Sequence, residues 1–361
     1  MIASSILRNC IEELSQITKV DLMVYDTAGS VLAVSGNGVN VPSDIIRTFV
    51  DSPADSQVIG DQHLLKVYDE EELVYIIVAS GSGDGVYTVG RIAVSQLSML
   101  LVAYKEKIDK NNFFQNLLMD NMLLVDVYNK AKKLHIDVDG DRVVYVVEKD
   151  QDKDIMVSQL LKSIFTVENG DFITEIDERN IILIKSLRDI TSPDYIYQVA
   201  QMIVDTIEAE AFINVRVGYG TVVSELKDVS KSYKEAMMAV DVGKIFNVER
   251  KVNAYSTLGI GRLIYQLPAN LCQMFIDEIF KDNDPADFDE EIVSTVYKFF
   301  ENNLNVSETS RQLFIHRNTL VYRVEKLKAI TGLDVRVFDD ALTFMIAMMV
   351  YNYLKYLKIE N

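Results

Sequence analysis

VSETSRQLFIHRNTLVYRVEKLK, Val306 to Lys328, parses as two helices joined by a short turn. Ser307 is placed to cap the first helix, with Leu313 on its buried side, and the chain turns through Phe314 and Ile315. His316 or Arg317 then opens a second helix, on which Leu320, Val324 and Leu327 recur at the spacing that faces a neighbouring helix. The opposite face presents Arg317, Asn318, Tyr322 and Arg323. An ordinary helical hairpin with a solvated polar face has the same spacing, so the pattern alone leaves two readings open.

Double-stranded DNA suits the second reading, because a recognition helix docks its first residues against base edges in the major groove. Arginine bonds guanine and asparagine bonds adenine in bidentate fashion, and Thr319 and Tyr322 can bond phosphates. His316 taken singly reads as an N-cap or packing residue rather than a base reader. The whole chain carries a net charge of -18, which disfavours nonspecific adsorption to nucleic acid or anionic membrane. Between Asn302 and Asp334, however, five Arg or Lys face three Asp or Glu, so positive charge is concentrated where the motif needs it.

Working outward, the 361 residues exceed a comfortable single core, and two or three domains are expected. Residues 1 to 96 begin with a helix and continue with DLMVYDTAGSVLAVSG, HLLKVY, ELVYIIVAS and VYTVGRIAVS, whose alternation predicts an antiparallel sheet like that of a PAS or GAF sensor. Asp26 to Ser30 reads as a tight turn, and Gly81, Gly83 and Gly85 of SGSGDG as a second hairpin turn. Those glycines lack the lysine and hydroxyl of a phosphate loop. From 97 to 136 the spacing becomes helical, with Leu97, Leu101, Tyr104 and Ile108 on one row, giving connecting helices that could pair with a second copy. Residues 137 to 280 alternate strand and helix as an α/β domain, including a helix capped by Ser192 with Pro193 in its first turn. The acidic KDNDPADFDEE, Lys281 to Glu291, is the domain boundary, and 289 to 361 reads as all helix.

The segment from Asp289 to Val350, and HRNTLVYRVEKLKAITGLD above all, resembles the carboxy-terminal module of the CdaR/PucR regulators of bacterial sugar-diacid and purine catabolism. That resemblance implies a DNA-binding helix-turn-helix, with His316, Arg317, Asn318, Thr319, Tyr322 and Arg323 inheriting the contact role by position and Ser307 counted with them among the DNA-binding residues. SYKEAMMAVDVG, Ser232 to Gly243, resembles the family's middle domain, an α/β fold related to the GGDEF diguanylate cyclases. A working cyclase needs glycines beside an acidic residue in the hairpin after its second strand; here that turn is Asp177, Glu178, Arg179 and Asn180, with no glycine. The resemblance therefore implies a degenerate domain without catalysis.

The family often senses a small acid through its first domain, and such a ligand would want cationic partners, for which Arg47, Lys66 and Arg91 are the candidates. Asp69 to Glu72 reads as a solvated turn rather than a cation site. Cys10, Cys272 and three dispersed histidines give no disulfide framework or metal spacing, and no cofactor is implied. The apolar run from Ala341 to Leu354 is too short to span a bilayer, and the first residues do not form a secretory signal, so a cytoplasmic protein without membrane contact is expected. The expectation is thus a multidomain α+β chain that binds DNA as a homodimer or higher homo-oligomer under control of a small-molecule effector. The competing classes are a nucleotide-cyclising enzyme and a nucleotide sensor without turnover, both acting through residues 142 to 265.

Overall fold

Alternating apolar residues in DLMVYD and ELVYIIVAS place one row on each face of a strand pair, and both rows are buried. In the computed structural model, which describes residues 2–36, 40–83, 85–149, 154–165, 170–188, 192–281 and 283–360, these strands lie at the centre of a five-stranded sheet. Asp84 of the SGSGDG stretch and Asp282 of the acidic loop lie outside the described residues. The chain divides into two compact units, Met1–Phe114 and Gln115–Asn361.

The first unit comprises α1 (Ser4–Thr18), β1 (Asp21–Asp26), β2 (Val31–Val34), α2 (Ser43–Asp51), β3 (Ser56–Ile59), β4 (Gln62–Asp69), β5 (Glu72–Ser80) and α3 (Val86–Leu118), which continues past the boundary. The sheet is antiparallel in the order β2-β1-β5-β4-β3. Leu22, Val24, Ile77 and Ala79 pack with α1 and with Ala93, Leu97 and Leu101 of α3. Met23, Tyr25, Ile76 and Val78 pack with Ile46 and Phe49 of α2 on the other face. Asp26 closes the β1–β2 turn by accepting from the Ser30 amide at 2.7 Å.

VYTVGRIAVS is not a strand but the first turns of α3, and SGSGDG links strand to helix instead of closing a hairpin. Its β-branched residues favour a strand, yet Val86, Ala93, Leu97 and Leu101 also follow helical spacing and are buried, so packing decides. Gly90 permits the close approach, since a Cβ there would stand 2.7 Å from Leu65 Cδ1. By length and composition alone α3 meets the requirement for crossing a bilayer, which corrects the expectation that no segment does. Sequence reading missed it because Ser, Gln and Gly interrupt its apolar run.

In the second unit, α4 (Leu124–Lys133) precedes β6 (Asp139–Lys149), α5 (Asp154–Ile164), β7 (Phe172–Glu175), β8 (Asn180–Ser186), α6 (Pro193–Ala211), β9 (Val215–Tyr219), β10 (Val223–Glu225), α7 (Val229–Phe246) and β11 (Val252–Ala254). The sheet runs β11-β9-β6-β8-β7, with β10 on β6; β11 pairs parallel with β9, and the other strand pairs among the described residues are antiparallel. α5 and α6 cover Val143, Tyr145 and Val147 of β6. α7 lies so close to β9 that a Cβ on Gly218 would meet Ala236 O at 2.4 Å. Ser232 accepts from the Val144 amide at 3.1 Å and donates to Thr221 O at 2.8 Å, while Glu235 accepts from the Thr221 amide at 2.8 Å. The polar residues of SYKEAMMAVDVG thereby seat α7 on the sheet.

Six helices complete this unit: α8 (Gly261–Tyr265), α9 (Ala269–Phe280), α10 (Glu290–Glu301), α11 (Val306–Gln312), α12 (Arg317–Thr331) and α13 (Phe338–Glu360). One core joins Cys272, Ile276 and Phe280 of α9 to Val296, Phe299, Leu320, Val324, Leu327 and Phe344, and extends to Ile245 of α7. Phe280 meets Phe288 and Phe344 edge-on, at 5.4 and 6.2 Å between ring centres. A boundary drawn between 280 and 289 therefore cuts through this core, because α9 packs with the helices that follow it.

Candidate nucleic-acid interface

Asn305, not Ser307, caps α11: its side chain accepts from the Ser307 and Glu308 amides at 3.1 Å each. Ser307 stands one residue inside the helix and is exposed. Asparagine caps as well as serine, and a cap two residues earlier lets the helix begin at Val306, whose side chain packs on the core. Phe314 turns the chain at a φ of +54°, Ile315 packs on the core, and α12 begins at Arg317. His316 is the cap of α12, its Nδ1 accepting from the Asn318 amide at 3.2 Å. This leaves Nε2 as the ring nitrogen available to donate.

Leu320, Val324 and Leu327 are buried, as their spacing requires. Arg317, Asn318 and Tyr322 are exposed beyond them, and Thr319 is half-buried. Arg323 does not join this exposed face. Its Nη1 donates to Thr295 Oγ1 at 2.9 Å and its Nη2 pairs with Glu291, both on α10. One residue beyond Tyr322, the helix has rotated by about 100°, toward the flank that α10 covers.

The cations around α12 are mostly neutralised locally. Lys326 pairs with Asp289 at 3.3 Å, Lys328 with Asp334 at 3.0 Å, and Arg336 with Asp334 and Glu325 at 2.7 Å each; Arg311 pairs with Glu308. The Arg336 guanidinium, aided by Lys328, holds the Asp334 carboxyl well below the usual carboxylate range. Among the described residues Arg317 has no carboxylate partner, so its charge is available to an outside anion. Arg317, Asn318 and Tyr322 are thus presented together on the first turns of one helix. Sequence reasoning missed the Asn305 cap, the Thr295 and Glu291 partners of Arg323, and the exposure of Phe314; for Phe314 the available signal was its absence from either helix's apolar row.

The other candidates are not brought together. Lys66 is buried and engaged within the chain, donating to Val50 O at 3.1 Å and Ser52 O at 2.5 Å at the end of α2, with its ammonium over the Phe49 ring. Arg47 donates to Ala28 O at 2.8 Å, and Arg91 is exposed on α3, which packs on the opposite sheet face from α2. Lys105 pairs with Asp69 and Glu70 at the β4–β5 turn. In the β7–β8 turn, Asp177 Oδ1 accepts from the Arg179 and Asn180 amides at 2.8 Å, and Oδ2 from Asn180 Nδ2 at 2.9 Å. Burial works against its charge, but these bonds hold its carboxyl below the ordinary value.

A profile of the PucR C-terminal helix-turn-helix domain matches residues 292–350, and a profile of the GGDEF-like domain matches 121–242. The carbohydrate diacid regulator of Escherichia coli (strain K12) is 24% identical over 77% of this chain and 77% of its own length. The purine catabolism regulatory protein of Bacillus subtilis (strain 168) is 22% identical over 39% of this chain and 27% of its own length. The proline-responsive transcriptional activator PutR of the same organism is 28% identical over 34% of this chain and 31% of its own length. The chain is thus similar to the CdaR/PucR regulators in both its GGDEF-like and its helix-turn-helix parts. The helix-turn-helix match takes in α11, α12 and the turn between them, while α9 stands outside the match although it shares their core.

The α/β domain and the helices that follow it touch through a polar seam. Tyr265 donates to Asp241 of α7 at 2.7 Å, and Tyr353 of α13 donates to Tyr265 O at 2.9 Å. Lys244 of α7 reaches Glu148 at 2.7 Å and Asp241 at 3.1 Å beneath the Tyr356 ring. Burial opposes the Lys244 charge, but the two carboxylates raise its pKa above the ordinary lysine value.

Proposed function

We propose that this protein is a sequence-specific DNA-binding transcriptional regulator that reads its site with α12. The observation that carries the reading is Arg317, exposed and without a carboxylate partner among the described residues, beside Asn318 on the first turn of a helix whose other face is locked into a core. Arg317 and Asn318 read bases; Ser307, His316, Thr319 and Tyr322 contact the DNA backbone, and Arg323 fixes the helix that carries them. The relatives named as regulators support the same reading.

The first unit acts as a PAS- or GAF-like sensor of a small effector, a reading supported by its antiparallel sheet with helices on both faces. The dispersed positions of Arg47, Lys66 and Arg91 argue for an effector held by other groups. The middle domain transmits rather than catalyses, which the self-bonded Asp177 turn and the seam at Asp241 and Tyr265 support. The protein works in the cytoplasm as a homodimer, so that two recognition helices engage neighbouring half-sites. Footprinting the full-length protein across a bacterial genome that encodes it tests this function: discrete sites sharing one sequence are expected, and occupancy without sequence preference would overturn it.

A further inference from the structure

The fold does not account for Phe314. The residue is 96% exposed, and its backbone adopts a φ of +54°, a left-handed conformation that glycine or asparagine takes with less strain. Both features oppose folding. The neighbouring Ile315 supplies the turn's contact with the core. An exposed aromatic side chain held on strained backbone therefore calls for a partner outside the chain.

Position identifies that partner. Phe314 stands three residues before the Arg317 start of α12, beside the helix end that enters the groove. Val321, 38% exposed, follows Asn318 by three residues and Arg317 by four, so it shares their side of the helix. Glu325, the exposed acid one turn further on, is occupied by Arg336. The leading part of the face thus combines an unpaired cation and an amide with two apolar side chains. In the major groove only thymine offers an apolar feature, its 5-methyl group.

We propose that Phe314 and Val321 contact thymine 5-methyl groups, so that the operator contains thymines flanking the bases read by Arg317 and Asn318. This inference rests on the reading of α12 as the recognition helix. The test uses the full-length chain. A duplex is selected from a randomised library and then remade with deoxyuridine at each thymine in turn, which removes the methyl and leaves base pairing intact. Replacement at one or two positions should weaken binding about fourfold each, the worth of one buried methyl-sized group. In Phe314→Asn, which tolerates the left-handed turn, and in Val321→Ala, the penalty at the corresponding thymine should disappear. If a defined sequence is selected but no uracil replacement matters, or if both variants keep the full penalty, the inference is overturned and the function stands. If no sequence is selected, both fall. Should a variant fail to fold, the uracil series on the unaltered chain decides alone.

Discussion

Arg323 Nη1 donates to Thr295 Oγ1 at 2.9 Å, fastening the second helix of the pair to α10. Thr295 is fully buried, while the Glu291 side chain that also receives Arg323 is mostly exposed. The hydrogen bond therefore outweighs the ion pair, and Arg323→Ala should cost about 1–2 kcal/mol of stability. Urea denaturation should show a lower midpoint, and DNA affinity should fall in parallel for specific and scrambled duplexes. Unchanged stability with abolished binding would show that the guanidinium contacts DNA directly.

Asp334, held below the usual carboxylate range by Arg336 and Lys328, gives a pH dependence with a definite sign. A depressed carboxylate contributes stability fully above its unfolded value of about 4, and that contribution is lost as pH falls through the folded value. Asp334→Asn should therefore be less stable at neutral pH, by about 1 kcal/mol for a pair near the surface, with the gap closing only at acid pH. Chemical denaturation of both proteins across this range checks it. A gap that widened on acidification would reverse the sign.

The middle domain should not turn over GTP in the presence of Mg2+ or Mn2+. The Asp177 carboxylate already accepts from the Arg179 and Asn180 amides, and no glycine in the 177–180 turn lets a nucleotide approach the backbone. Product analysis after prolonged incubation is the measurement. Turnover abolished by Asp177→Ala would contradict this view.

A fragment from Asp289 to Asn361 omits Phe280 and Phe288, which meet one another edge-on, Phe280 also meeting Phe344. It should melt with less cooperativity than a fragment beginning at Pro268, which retains α9. The longer fragment should prefer the same site as the whole chain but bind more weakly, since it lacks the parts proposed to supply pairing. Circular dichroism and gel shifts on both fragments test this. Equal stability would show that α9 is dispensable to the helical core.

The features most legible in the sequence were those set by local period. Leu320, Val324 and Leu327 announced a buried helix face, and the hairpin at Asp177 fell between β7 and β8 as expected. What escaped depended on tertiary choice. The VYTVGRIAVS segment satisfies both periods, and only its packing beside Leu65 and Ala79 selects the helix. Asn305 and Ser307 are both good caps two residues apart, and the burial of neighbouring Val306, Thr309 and Ser310 settles the register. Arg323 lies at the edge of the polar face, where a third helix that periodicity cannot place decides whether it meets solvent.

The most direct test is the affinity of the full-length chain and of Arg317→Ala for a footprinted duplex and for its scrambled counterpart, measured by fluorescence anisotropy at fixed salt. Arg317 has no partner among the described residues to lose, so its removal should leave the denaturation midpoint unchanged. The unaltered chain should prefer the footprinted duplex, and Arg317→Ala should lose about 1–3 kcal/mol on it. Equal affinity for the two duplexes, or undiminished binding by Arg317→Ala, would contradict the assignment of α12 as the helix that reads DNA.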